Sequence, residues 1–135
     1  MKNIYRGMQN AAEDIQANFA ELDNRKSKVL WKGSAKQGAK IPLNDSVQNY
    51  SVLALVISFG SGYHTSFFLP GDATANCVGT NIYNSLSTTV SICKYMIQKT
   101  DDKNYIVSVG RENSGTATAE GPEISGTVSL IVGIV

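Results

Sequence analysis

The stretch Tyr50-Ser51-Val52-Leu53-Ala54-Leu55-Val56-Ile57-Ser58-Phe59 decides the fold. From Val52 to Ile57 it has no polar position, and Gly60-Ser61-Gly62 closes it at once. A short apolar run bounded by turn residues reads as a strand, and a strand without a polar face is one covered on both faces. Downstream, residues 63–69 form the returning strand, a long polar stretch fills 70–87, and alternation resumes over 89–97. Asp101-Asp102-Lys103-Asn104 makes a turn into a strand at 105–109, residues 110–122 read as a Gly-, Ser- and Thr-rich loop, and 127–135 closes the chain. Upstream lie Val29-Leu30-Trp31-Lys32-Gly33 and a short strand at 39–43 that ends in Asn44-Asp45-Ser46. About seven or eight short strands at this spacing predict a mainly β chain with a single sandwich or jelly-roll-like head over 29–135.

The last strand is as greasy as the first one quoted: Val128, Leu130, Ile131, Val132, Ile134 and Val135. Two such strands exceed what one small core hides, because a domain of this size leaves much of its surface exposed. The surplus reads as a subunit interface, the alternative being one central strand in each of two sheets.

Residues 1–28 follow another period. Tyr5, Met8, Ala12, Ile15, Phe19 and Leu22 recur at alternating spacings of three and four, before the basic knot Arg25-Lys26-Ser27-Lys28. That is the seam of a coiled coil over about residues 3–24, and a helix so short is marginal in water unless something covers its stripe. Copies of itself are the most economical cover, an amphipathic helix against the head or another protein being the alternative. The flanking positions Gln9, Gln16, Asp23, Ala11, Asn18 and Arg25 are nearly uncharged, so the seam itself leaves the number of strands open. Asn3 or Asn10 is the candidate cap, the latter with Glu13 three residues on, and Gly7 argues for a break or a late start.

Composition narrows the function classes. The net charge is +1, and the acidic and basic side chains balance after Lys28, so no one-signed field steers the head to nucleic acid or anionic lipid. No apolar run approaches a bilayer span and no charged stretch leads into a secretory core, which predicts folding in a cytosol. Cys77 and Cys93 lack metal-ligand spacing and read as reduced, buried small hydrophobes. No metal or cofactor is expected.

The opening Lys2-Asn3-Ile4-Tyr5-Arg6-Gly7-Met8-Gln9-Asn10-Ala11-Ala12-Glu13 resembles the N-terminal segment of receptor-binding proteins from the baseplates of lactococcal and related siphophages, where a Tyr-Arg-Gly-Met stretch precedes a run ending much as Leu22-Asp23 does. The match covers about the first 25 residues. The head, with Leu30-Trp31-Lys32-Gly33, Ile41-Pro42-Leu43 and Asn49-Tyr50, is similar to a C-terminal β-domain of tail and baseplate proteins from phages of Gram-positive bacteria. The resemblance implies a homotrimer held by a trimeric coiled coil at the virion's tail tip. Its N-terminal helix would plug into a baseplate scaffold protein through Tyr5, Arg6, Met8, Ile15, Phe19 and Leu22, and its heads would bind host cell-wall polysaccharide. Many relatives place a β-structured neck between coil and head. Here Lys28 leads straight into Val29, so no neck contacts carry over.

Saccharide sites set an aromatic face against the C–H surface of a ring and direct amides, acids, Arg or His at its hydroxyls. Three loops offer such groups: Tyr63 and His64 after the glycine turn, Asp72, Asn76, Asn81 and Tyr83 in the polar stretch, and Arg111 with Glu112 and Asn113 in the third. Trp31 reads as core or interface. Hydrolysis of a glycan would need two carboxylates, imaginable as Asp72 with Glu112 or Glu120. The chain has one histidine, no Gly-x-Ser-x-Gly elbow and no phosphate loop, so a binder is expected rather than an enzyme. A structural adaptor that holds another virion protein is the second reading.

Overall fold

The computed structural model describes residues 1–24, 27–82, 89–114 and 117–135. It is mainly β, with two sheets, one short helix and no closed barrel. The first sheet has the order β1 (Lys28–Ala35), β9 (Thr127–Ile134), β3 (Val52–Phe59), β4 (Gly62–Phe68). The second runs β2 (Lys40–Pro42), β7 (Asn104–Ser114), β6 (Ser91–Asp101), β5 (Thr74–Asn81), with β8 (Ala117–Glu120) also on β7. All observed pairings are antiparallel.

One core joins the sheets. Leu53, Leu55, Ile57, Val128 and Ile131 come from the first, and Cys77, Cys93, Tyr95, Ile97, Tyr105 and Val107 from the second. The Tyr95 hydroxyl is satisfied by donating to Gly126 O at 2.6 Å, and Phe68 meets Tyr105 edge to face. Trp31 packs half-buried against this core, its ring lying over Gly33. Cys77 and Cys93 are free, buried thiols on β5 and β6, and burial raises the Cys93 thiol to about 12.

Two stretches that read as loop prove to hold strands. The stretch 70–87 contains β5, whose inward positions are Ala75, Cys77 and Gly79. Side chains this small give no apolar period, so the strand reads as loop. Likewise β7 continues to Ser114 and pairs with β8, where a loop over 110–122 was expected. The two greasy strands are not one per sheet. They are β3 and β9, paired with each other in the middle of the first sheet.

At the N-terminus the helix α1 spans Ala11–Asn24 only. Gly7 (φ 80°) and Asn10 (φ 58°) both stand in the left-handed region, where glycine is free and asparagine is tolerated, and they break the run. Tyr5, Arg6 and Met8 are therefore not on the helix, which corrects the longer seam. Residues before the break double back along α1. Lys2 N donates to Asn18 Oδ1 and Asn18 Nδ2 donates to Lys2 O, each at 2.9 Å, while Lys2 Nζ pairs with Asp14 Oδ1 at 2.9 Å. This strap takes the face of Asp14 and Asn18. It leaves Ala12, Ile15, Phe19 and Leu22 exposed as a shortened stripe, with Phe19 64% accessible. Arg25 and Lys26 of the basic knot lie outside the described residues, as does Tyr83.

A polar clamp sits where the chain enters the head. Asp45 accepts from the Tyr50 hydroxyl at 2.7 Å, from Ser46 N at 2.8 Å and from Asn49 Nδ2 at 2.9 Å, with Lys28 Nζ 3.7 Å away. The Tyr50 bond foremost holds the Asp45 carboxyl below its ordinary value of 3.8, and burial raises Tyr50 to about 12. Tyr50 also packs on Gly133, where a Cβ would fall 2.5 Å from its ring. Tyr50→Phe keeps that packing and removes one charge-assisted bond, at an expected cost of about 2 kcal/mol in urea unfolding at neutral pH. Because the Asp45 value is depressed, its contribution is complete above pH 3.8 and fades as pH falls through the folded value. The gap between wild type and Tyr50→Phe should therefore narrow below pH 3.8, and a gap that holds constant there would remove Asp45 from the clamp.

Candidate functional site

Register explains how the outer face of the first sheet is divided. Paired residues on antiparallel strands share a face, so three rows can be read directly. Beyond the pair Val52 and Ile134 at the entry from α1 run Val29, Val132, Ala54, Phe67; next Lys32, Leu130, Val56, Thr65; and furthest Thr127, Ser58, Tyr63. A bulge in β9 between Val128 and Leu130 turns both Ser129 and Leu130 outward. The far half thus carries hydroxyls and the near half carries hydrocarbon.

A groove of about 560 Å3 lies across this face, lined by Val29, Lys32, Gly33, Ser34, Val56, Ser58, Tyr63, Thr127, Ser129 and Leu130. Gly33 leaves its floor without a side chain beside the Trp31 ring. Tyr63 stands at its end, 74% accessible, with a free ring face. Four aliphatic hydroxyls, the Tyr63 phenol and one ammonium offer hydrogen-bonding groups along a mostly apolar floor, the composition that suits a sugar ring presenting C–H on one side and hydroxyls at its edge. The paired strands β1, β3, β4 and β9 set these groups in place.

Of the described residues expected to bind, only Tyr63 lines the groove. His64 follows it on β4 and must point the other way, since side chains alternate along a strand. It pairs with Ile57 on the inner face and its ring covers Gly79, where a Cβ would fall 2.6 Å from a ring carbon. Its Nε2 is buried with no hydrogen-bond partner among the described residues. Asp72 lies beyond the opposite end of β4, where its carboxylate accepts from Leu69 N at 2.8 Å and closes the turn into β5. Asn81 ends β5 and packs on Gly60, which adopts φ 63° beneath its amide. Arg111 and Glu112 are on β7 rather than a loop. Arg111 pairs with Glu120 at 3.2 Å, and Glu112 accepts from Ser125 N and Oγ, both at 2.9 Å, tying down the entry to β9. Asn76 faces outward on β5.

Lys32, Ser34, Ser58, Thr127 and Ser129 were not singled out in the sequence. One signal existed: Thr127 and Ser129 alternate with Val128, which marks one face of β9 as polar at its start. Among the described residues no cluster of three or more His, Cys, Asp or Glu is placed to hold a metal ion. No helix of the described residues is long and apolar enough to cross a membrane. Compared with known proteins, the chain matches no family model and no curated sequence.

Proposed function

We propose that this chain is a tail-tip adhesin of a phage, a receptor-binding protein whose head holds host cell-wall saccharide in the groove on the first sheet. The observation that carries the reading is Tyr63, an exposed ring at the end of a hydroxyl-lined groove. In this reading the two sheets form a β-sandwich or jelly-roll-like head of residues 29–135. The exposed stripe Ala12, Ile15, Phe19, Leu22 is the seam of a three-stranded coil of identical chains, and the strap with Tyr5, Arg6 and Met8 meets a baseplate scaffold protein. The site of action is the virion surface. Three weak, shallow sites on one particle, repeated around a baseplate, give firm attachment through effective concentration.

Catalysis is not part of the proposal, because the acids that would be needed are engaged elsewhere. Glu112 is held by Ser125, Glu120 by Arg111, and Asp72 by its own turn at the other end of the head. The adaptor reading draws on the apolar near half of the same face. Incubating the purified chain with a panel of Gram-positive cell walls and their released polysaccharides separates the readings. Retention on walls of particular strains, with polysaccharide length unchanged, is the expected result. Retention on none of the panel favours the adaptor, and shortened polysaccharide the enzyme.

A further inference from the structure

Beyond Tyr63 the far end of the head holds a second cavity, of about 320 Å3, lined by Gly60, Ser61, Asn81 and Ile82. Gly60 at φ 63° makes the tight turn that brings Phe59 opposite Gly62 across the ladder. Asn81 is the last residue of β5 and has the inward parity of Ala75, Cys77 and Gly79, so it reaches this turn from the opposite sheet. Its amide lies against Gly60, where a Cβ would fall 2.4 Å from the amide carbon. An apolar side chain would cover that glycine equally well. The amide instead brings donors and an acceptor to the cavity, and it makes no hydrogen bond to any described residue. Ser61 adds a hydroxyl, and Ile82, 58% accessible, adds hydrocarbon.

We infer that this tip cavity is a second subsite for the same ligand, which is a run of linked sugars crossing Tyr63 from the groove rather than a single terminal sugar. The inference rests on the groove being the saccharide site and extends that site to the tip of the head. Three observations join the two cavities. Ser61 and Tyr63 are two residues apart, so their Cα atoms lie within roughly 7 Å, a step that adjoining sugar rings can span. Gly62 between them carries no side chain, and a Cβ there would meet nothing within 4 Å, so the rim from groove to cavity is low and open. Tyr63 is 74% accessible although it lines the groove, which leaves part of its ring for a unit on the tip side. The chemistry also repeats. An amide and a hydroxyl face sugar hydroxyls, Ile82 faces C–H, and the described lining holds no charged side chain, so the unit it suits is a neutral sugar. A wall polymer supplies both units on one chain, and the occupant of the tip is the neighbour of the ring stacked on Tyr63.

Fragment length tests this. Polysaccharide from a wall that retains the chain is cut by partial acid hydrolysis, sized, and titrated into the full-length protein by calorimetry. Binding is expected to tighten about tenfold once fragments outgrow the groove, the gain of one further set of hydrogen bonds and apolar contact. Asn81→Ala should remove that gain and leave the shorter fragments binding as before, whereas Tyr63→Ala weakens fragments of every length. Gly62→Val places a side chain on the open rim, at a position whose φ is not positive, and should cut off the gain in the same way. It carries the test if Asn81→Ala lowers the melting temperature. Affinity that does not rise with length, or a rise that survives both changes, overturns the tip subsite. A loss shared equally by short and long fragments overturns it too, since it ties Asn81 to the groove alone. Full binding by Tyr63→Ala, or retention on no wall, ends the groove itself and is read apart from these results.

Discussion

Tyr63→Ala is expected to lower binding to a recognised cell wall by roughly tenfold per site, and towards about a thousandfold for a particle that engages three sites at once. The per-site loss is that of one aromatic face against a sugar ring, about 1.4 kcal/mol. Each linked site multiplies the deficit, because the second and third contacts are drawn from the same weakened equilibrium. Folding should be untouched. Tyr63 is 74% accessible, its partner across the ladder is Ser58, and exposed substitutions of this kind stay within about 0.5 kcal/mol. Binding is read by retention on immobilised wall, stability by thermal melting. His64→Ala is the matched control with the opposite pattern: its ring fills space over Gly79, so it should lower the melting temperature and leave the groove's chemistry in place. Full wall binding by Tyr63→Ala would take the saccharide site away from this groove.

That contrast between adjacent residues shows what the sequence conveys and where it stops. Val52–Phe59 announces a strand with apolar residues on both faces, and β3 has that character. What such a run leaves unsaid is which cover each face has. Register with β9 and β4 decides that one face meets the second sheet and the other forms the groove. Tyr63 and His64 look like one binding pair after a glycine turn, yet a strand of period 2 sends them to opposite faces. Likewise β5 was invisible because Ala75, Cys77 and Gly79 carry too little side chain to register as apolar, although Gly79 is small for the His64 ring above it. The groove's hydroxyls come from β1, β3 and β9, which are distant in sequence and adjacent only through the ladder. At the other end of the chain the three-four spacing through Tyr5 and Met8 suggested a longer helix. Local backbone chemistry at Gly7 and Asn10 overrode it, and only Ala12 to Leu22 retained the stripe.

The shortened stripe makes the stalk the most sensitive part of the molecule. If the proposed trimer forms, combining Ile15→Asp with Phe19→Asp is expected to convert it into single chains at low micromolar concentration, a loss of at least a hundredfold in association. A helix of 14 residues is marginal by itself, so its persistence depends on covering Ile15, Phe19 and Leu22. Placing carboxylates there asks each layer of the seam to bury like charges that have no partner, a cost of several kcal/mol per layer. Losing the helix also removes the tether that would keep the heads at millimolar effective concentration. The helical signal in circular dichroism should fall together with the particle mass, while the β signal of the head persists, since the core draws none of its described residues from α1. Gln16→Ala, off the stripe, should change neither. Were the stripe merely solvent-facing, the double change would be two surface substitutions with the mass and helicity intact, and the stalk would lose its place in the assembly.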